Sequence, residues 1–225
     1  MAYDRTIIVF SPDGRLLQVE YARQAVRRGS TAVGLVVNDG VILGATKSSA
    51  PLSVSDSYKK IFVIDDHIAI VGSGILADAR YLVEMARVKA QVNRITYGEP
   101  VSVHTTAKYL ANHKHMATQY AGIRPFGIGL LVGGIDVDGP NLYETDPSGT
   151  MLQWKAQAIG RSAEKAKAVI KAGYKDSMPV KDGLKLVVKA LKAGEKSVTN
   201  DNIEIAVVTG KGIKKVSAGE IDKYQ

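Results

Sequence analysis

Two short patterns in this chain hold residue types able to do chemistry, and neither is complete. Gly72-Ser73-Gly74 falls between an apolar run and a helical pattern, where backbone amides at a helix N-terminus take phosphates. The fingerprint is partial and no acid follows on a ribose-binding strand, so nucleotide binding is not expected. His113 and His115 are two apart on a helical pattern, and side chains at that spacing point in different directions, which argues against a metal pair. Cysteine is absent, which removes disulfides, thiolate zinc sites and cysteine nucleophiles. No metal and no cofactor are expected. Trp154 is expected to pack on a strand rather than to recognise a ligand.

Charge offers a second kind of chemistry. The chain has 30 basic and 22 acidic residues, a net of +8, and an isoelectric point near 9.5. Its lysines spread through 155–223 at helix-surface spacings among alanines, without the aromatic interleaving of a single-strand binder. They read as solvated helix faces, so nucleic acid is not an expected partner. A basic nucleic-acid module stays open as a third reading, marked by strongly salt-dependent binding. No apolar run approaches a membrane span and the N-terminus lacks the layout of a signal peptide, so the expectation is a cytoplasmic protein with no membrane partner.

The elements that must position any site follow from turn chemistry and periodicity. Ser11-Pro12-Asp13-Gly14 is a turn in which proline presets φ and Asp-Gly tolerates the tight conformation. A short amphipathic helix over 15–28 follows, with Val19, Ala22 and Val26 at helical spacing, and stops near Gly29. Hairpins are expected over 31–47 about Asn38-Asp39-Gly40, and over 61–71 about Asp65-Asp66-His67, with a polar loop over 48–58 between them. Two helices follow, broken at Gly98-Glu99-Pro100, then a strand meander from Ile128 to Trp154. Helices around 162–174 and 180–193, a hairpin at 203–209 and 213–217, and a short helix from Ala218 complete the chain. The strands are nearly continuously apolar and the helices carry one stripe each. Two stacked sheets between two helix layers satisfy both patterns, a four-layer α-β-β-α sandwich of class α+β in a single domain over 1–225.

Tyr3-Asp4-Arg5, Phe10-Ser-Pro-Asp-Gly-Arg15, Gln18-Val-Glu-Tyr-Ala22 and Gly29-Ser-Thr31 together resemble the N-terminal signature of proteasome core-particle α subunits, closest to the archaeal kind. Tyr120-Ala-Gly-Ile-Arg-Pro-Phe-Gly127, Gly133-Gly-Ile-Asp136, Asp146-Pro-Ser-Gly-Thr150 and Ala158-Ile-Gly160 extend the resemblance over the whole chain. It implies the N-terminal-nucleophile hydrolase fold, with 1–14 as gate tail and turn, 15–28 as an added helix and 30–225 as the sandwich. It also implies a homo-heptameric ring that caps β subunits, gates the passage of unfolded polypeptides and docks a regulatory ATPase through that partner's C-terminal hydrophobic-tyrosine tail.

Residue by residue, the resemblance makes Tyr3, Asp4, Arg5, Pro12 and Tyr21 gate residues. Glu20, Gly29, Lys60, Gly74 and Ile75 become the activator-docking pocket, with Lys60 offering its cation to the tail's carboxylate. Tyr120, Ala121 and Gly122 become the loop that narrows the pore, with Ala121 where the archaeal pattern has glycine. Without the resemblance, Lys60 reads as a solvated surface lysine and Tyr21 as a core tyrosine. Catalytic relatives use an N-terminal threonine, an acid and a lysine. Here Ser30 takes the nucleophile position and Lys60 the lysine position, but Thr46 stands where the acid belongs and a helix precedes Ser30. The expectation is a non-catalytic subunit. Its rival is an active N-terminal-nucleophile hydrolase with Ser30 exposed by cleavage after Gly29.

Overall fold

The structure, a computed structural model, describes residues 8–47, 52, 54, 58–194 and 198–224. Of the loop expected over 48–58, only 52, 54 and 58 are among them. Ser11 and Gly14 close the expected turn, with the Gly14 amide donating to Ser11 O at 2.8 Å and Gly14 at φ +74°. Helix α1 (Leu17–Arg28) then starts two residues later than its periodicity suggests and buries Val19 and Ala22.

Strands form where turn chemistry sets them. β1 (Ala32–Val37) and β2 (Gly40–Thr46) make the first hairpin, β3 (Ile61–Asp65) and β4 (Ile68–Gly74) the second. The meander is β5 (Ile128–Asp136), β6 (Gly139–Thr145) and β7 (Met151–Gln153). The last hairpin is β9 (Ile203–Thr209) with β10 (Gly212–Val216), and β8 (Ala156–Ile159) precedes it. β8 is not among the expected strands, because Ala-Gln-Ala-Ile has little β propensity of its own. It is a strand because it leaves the meander's sheet and pairs with β1, Ala32 opposite Ile159. Gly72-Ser73-Gly74 forms the end of β4.

All ladders are antiparallel, in sheets ordered β10-β9-β2-β1-β8 and β3-β4-β5-β6-β7. Helices α2 (Leu76–Tyr97) and α3 (Val103–Ala117) cover the second sheet, and α4 (Ala163–Gly173) and α5 (Val180–Gly194) the first. A short α6 (Ala218–Ile221), closed by a capping box of Ser217 and Glu220, ends the fold. Three apolar clusters fill the three interfaces of the four layers. Strand alternation divides the residues between them: Val33 and Leu35 face the α4–α5 side, Ala32 the space between the sheets. α1 belongs to none of the layers and packs on β4 and β5.

Candidate functional site

Four chain segments meet at Gly29: the end of α1, the start of β1, the end of β4 and the end of β8. The sequence marks Gly29 as a helix stop, yet its φ is −64°, so left-handed freedom is not why glycine stands there. The reason is contact, since a Cβ on Gly29 would lie 2.3 Å from Gly74 N and 2.5 Å from Ser73 Oγ. Gly160, at φ +103°, is held as closely, 2.7 Å from both Ser30 O and Ser73 Oγ for an added Cβ. Fully buried Ser73 shares its one proton between Val26 O at 3.1 Å and Ser30 O at 2.9 Å. The Arg161 amide donates to Gly29 O at 2.8 Å. Beside this junction a cavity of about 450 Å³ opens against α1, with Arg27, Arg161 and Lys167 facing Glu144, Asp146 and Glu164.

At the centre of the junction the Lys60 ammonium donates to the Ser30 hydroxyl. Lys60 is therefore no solvated surface lysine: it is 2% exposed, and its backbone amide donates to Glu204 Oε2 at 2.9 Å. A serine held by a lysine is the start of a nucleophile, but activation needs a base and an orienting group as well. Thr46, buried on β2, brings a hydroxyl instead of a carboxylate and turns its amide to Thr31 O at 3.0 Å. α1 runs through Gly29 into Ser30, so a terminal amine beside the hydroxyl would require cleavage after Gly29. Glu204 escapes the sequence reading. Its only signal is a carboxylate inside the apolar alternation Ile203-Glu204-Ile205.

Of the residues expected to form a docking pocket, the fold gathers Gly29, Gly74, Ile75 and Lys60 but not Glu20. Ile75 caps α2 with its amide on Gly127 O at 2.9 Å and is 40% exposed. Glu20 lies nine residues before Gly29, about 13 Å along the helix, and pairs with Arg23 at 2.9 Å. Arg23 also grips Asp146 with two nitrogens, at 3.0 and 2.8 Å. Burial pushes the Asp146 carboxyl up, but hydrogen bonds from Ser148 and Arg23 outweigh it and hold the group below the usual carboxylate range. This clamp fixes α1 to the β6–β7 turn. Tyr3, Asp4 and Arg5 lie outside the described residues. Pro12 is exposed, and Tyr21 is 51% exposed and so not a core tyrosine.

Tyr120, Ala121 and Gly122 are all exposed in the turn after α3. Gly122 takes φ +86° while Ala121 keeps a negative φ, so alanine there brings no backbone strain. The turn's root is tied down by Arg124, which grips Asp78 at 2.7 and 2.6 Å, and by the Gly127 amide on the same carboxylate at 2.8 Å. Burial raises the Asp78 carboxyl, and the Arg124 and Gly127 bonds more than reverse this, leaving it lowered. One turn earlier, Lys114 is wholly buried on α3. Its three protons meet three acceptors, Ile128 O and Thr145 O at 2.9 Å and Thr145 Oγ1 at 2.8 Å. Burial pushes this ammonium down to about 7 against the pull of Asp146, Glu144 and Asp78. His113 and His115 diverge as expected, to Tyr109 O at 2.9 Å and Ser148 O at 3.3 Å. Trp154 lies just past β7 and is 37% exposed, less packed than expected.

Sequence comparison decides what this junction belongs to. The family profile for proteasome subunits matches residues 26–208, and the profile for the N-terminal signature of A-type proteasome subunits matches residues 3–25. The chain is 50% identical over 225 residues to the proteasome α subunit of Pyrococcus horikoshii, covering 99% of this chain and 86% of that one. It is 46% identical over 224 residues to that of Methanopyrus kandleri, covering 99% and 91%. Its likeness to the Methanococcus maripaludis protein is 48% over 225 residues, covering 98% and 86%. The chain belongs to the proteasome α-subunit family. The boundary between the two profiles falls inside α1, so the helix and the sandwich it is clamped to are both family features, and the archaeal kinship expected from the signature holds. The two sheets and flanking helices are the N-terminal-nucleophile hydrolase sandwich with an added N-terminal helix.

Proposed function

We propose that this chain is the non-catalytic outer-ring component of a proteasome core particle. Seven copies form a ring over β subunits, their N-terminal tails gate the pore, and a regulatory ATPase docks its C-terminal tail between neighbours to admit unfolded polypeptides. The observation that carries the non-catalytic part is α1, the helix leading into Ser30, which buries Val19 and Ala22 and is clamped to the sandwich by Arg23 and Asp146. Thr46 in place of an acid supports the same reading. Exposed Pro12 and Tyr21 at the base of the tail suit contacts between neighbouring copies, and exposed Ile75 gives an incoming tail an apolar contact beside the junction. Lys60, bonded to the Ser30 hydroxyl at the same junction, offers the tail's carboxylate a cation. Among the described residues no helix is long and apolar enough to cross a membrane, which fits work in the cytoplasm.

The test is the mass of the purified protein with and without co-expressed β subunit, read beside hydrolysis of a fluorogenic peptide. A ring of seven, or a multiple, that is inert until β is added is the expected result. A monomer or dimer that cleaves peptide alone overturns the proposal. The Ser30–Lys60 contact favours one rival, a hydrolase matured by cleavage after Gly29. N-terminal sequencing separates the two, because the rival's chain begins at Ser30.

A further inference from the structure

The chain's positive charge has an address. Residues 155–194, which hold α4, α5 and the segments leading into them, carry ten of the 30 basic residues and three of the 22 acidic ones, a net of +7 out of +8. On α5, Lys181, Lys185, Lys189 and Lys192 follow at steps of four, four and three, so they share one face about 16 Å long. Lys181, Lys185 and Lys189 are exposed, while Leu184, Val187, Val188 and Leu191 of the same helix are buried. α4 packs beside α5 and adds Lys165, Lys167 and Lys171. Among the described residues, Lys155 pairs with Asp176 at 2.8 Å and Lys167 with Glu164 at 3.4 Å. The four α5 lysines have no carboxylate within 4.0 Å there.

We propose that the α4–α5 face is a docking surface for an acidic polypeptide, gripped by the α5 lysine stripe. Like charges at i,i+4 weaken a helix, so the stripe does nothing for the fold and gains only when a partner's carboxylates meet it. Each four-residue step advances about 6 Å, which matches acids four apart on a partner helix. Nucleic acid fits less well: the stripe has no arginine fork and no exposed aromatic platform. A membrane fits less well still, since no large apolar side chain between 155 and 224 is exposed among the described residues. A second copy is a poor match, its longest acidic run being Asp65-Asp66. Lysines, as hydrated point charges, suit a steered, salt-sensitive contact.

The inference does not rest on the ring or gate reading. It is tested with the full chain in the assembly in which it purifies, using fluorescent poly-L-glutamate as probe and anisotropy at low and physiological salt. K181E/K185E/K189E is expected to weaken binding about tenfold or more, and K181Q/K185Q/K189Q to weaken it in the same direction. The charge-matched R80E/K89E/K108E, on the α2–α3 layer, is expected to change it by less than about threefold. The glutamine triple keeps the test valid if reversed charges disturb folding. Equal losses in both glutamate triples, or no binding by the wild type at low salt, overturns the proposal. So does tighter binding of a DNA duplex of matched charge, or of phosphatidylserine vesicles, than of poly-glutamate.

Discussion

The two helix layers do the same job for the fold and present opposite outer faces. α4 and α5 bury one apolar stripe and show lysines outward. α2 buries Ala79, Leu82, Val83, Ala86 and Ala90 inward, yet also exposes Tyr81, Val88, Val92 and Ile95. With half-buried Met85 these follow at steps of four, three, four and three, the spacing of a helix-packing seam. The same layer hides charges, Lys114 and Asp78, that the other keeps outside. An inward stripe is all that a sandwich requires. The outward stripe on α2 exceeds that need, and such a surplus marks a surface built to be covered. The two layers thus offer outer surfaces of opposite kinds, one apolar and one basic.

The largest effect is expected from the buried charge. Lys114→Met leaves Ile128 O, Thr145 O and Thr145 Oγ1 without their donor and should cost about 3 kcal/mol of stability, read as a fall in melting temperature. Lys189→Met on the opposite layer should move stability by less than about 0.5 kcal/mol. Equal losses would erase the distinction between the layers. The pH dependence gives a second reading of the same residue. With the native ammonium lowered to about 7 from an ordinary 10.5, the unfolded chain holds the extra proton across that window. Stability therefore rises with pH from about 7 toward 10.5, and the methionine variant should lose that slope.

Next comes the α2 seam, where the readout is mass rather than melting. Val88→Glu with Val92→Glu should leave the isolated chain folded, with a change under about 1 kcal/mol at exposed positions. It should also shift the co-expressed assembly toward smaller species in native mass spectrometry. An unchanged assembly would make the outward stripe surplus surface after all.

Much of this is legible in the sequence. Asn38-Asp39-Gly40 and Asp65-Asp66-His67 fix their hairpins locally, and the glycine and proline around 98–100 end α2 where the helix stops, Gly98 taking the left-handed conformation. β8 is hidden because its reason for being a strand is β1, more than a hundred residues away. Gly29 reads correctly as a stop but for the wrong cause, since contact with Gly74 is tertiary. Lys114 carries a signal that is easily passed over. It falls on the very stripe of Val103, Ala107, Leu110, Ala111 and Ala117 that defines α3's inner face, and lysine's usual exposure masks it. For the site, the gathering of Gly29, Lys60, Gly74 and Ile75 follows from the resemblance. The Lys60–Ser30 bond and the separation of Glu20 need three dimensions.

One ion pair from each layer carries the difference down to single contacts. Arg124 and Asp78 join by two short bonds, with the Asp78 side chain only 9% exposed. Lys167 and Glu164 meet at 3.4 Å with side chains 41% and 91% exposed. The first is shielded and also holds the Gly127 amide, so Asp78→Asn should cost about 2 kcal/mol. Its carboxyl is lowered in the native state, so its contribution is present above the ordinary carboxylate pKa and is lost as pH falls through the lower native value. The asparagine variant should therefore unfold less steeply in acid than the wild type. Lys167→Gln removes a solvent-screened i,i+3 contact and should change stability by no more than about 0.3 kcal/mol, and high salt should abolish even that difference while leaving most of the Asp78 effect intact. If added salt instead reduces both losses in the same proportion, Asp78 is as open to solvent as Glu164, and the root of the loop carrying Tyr120 and Gly122 is not the rigid anchor that its geometry describes.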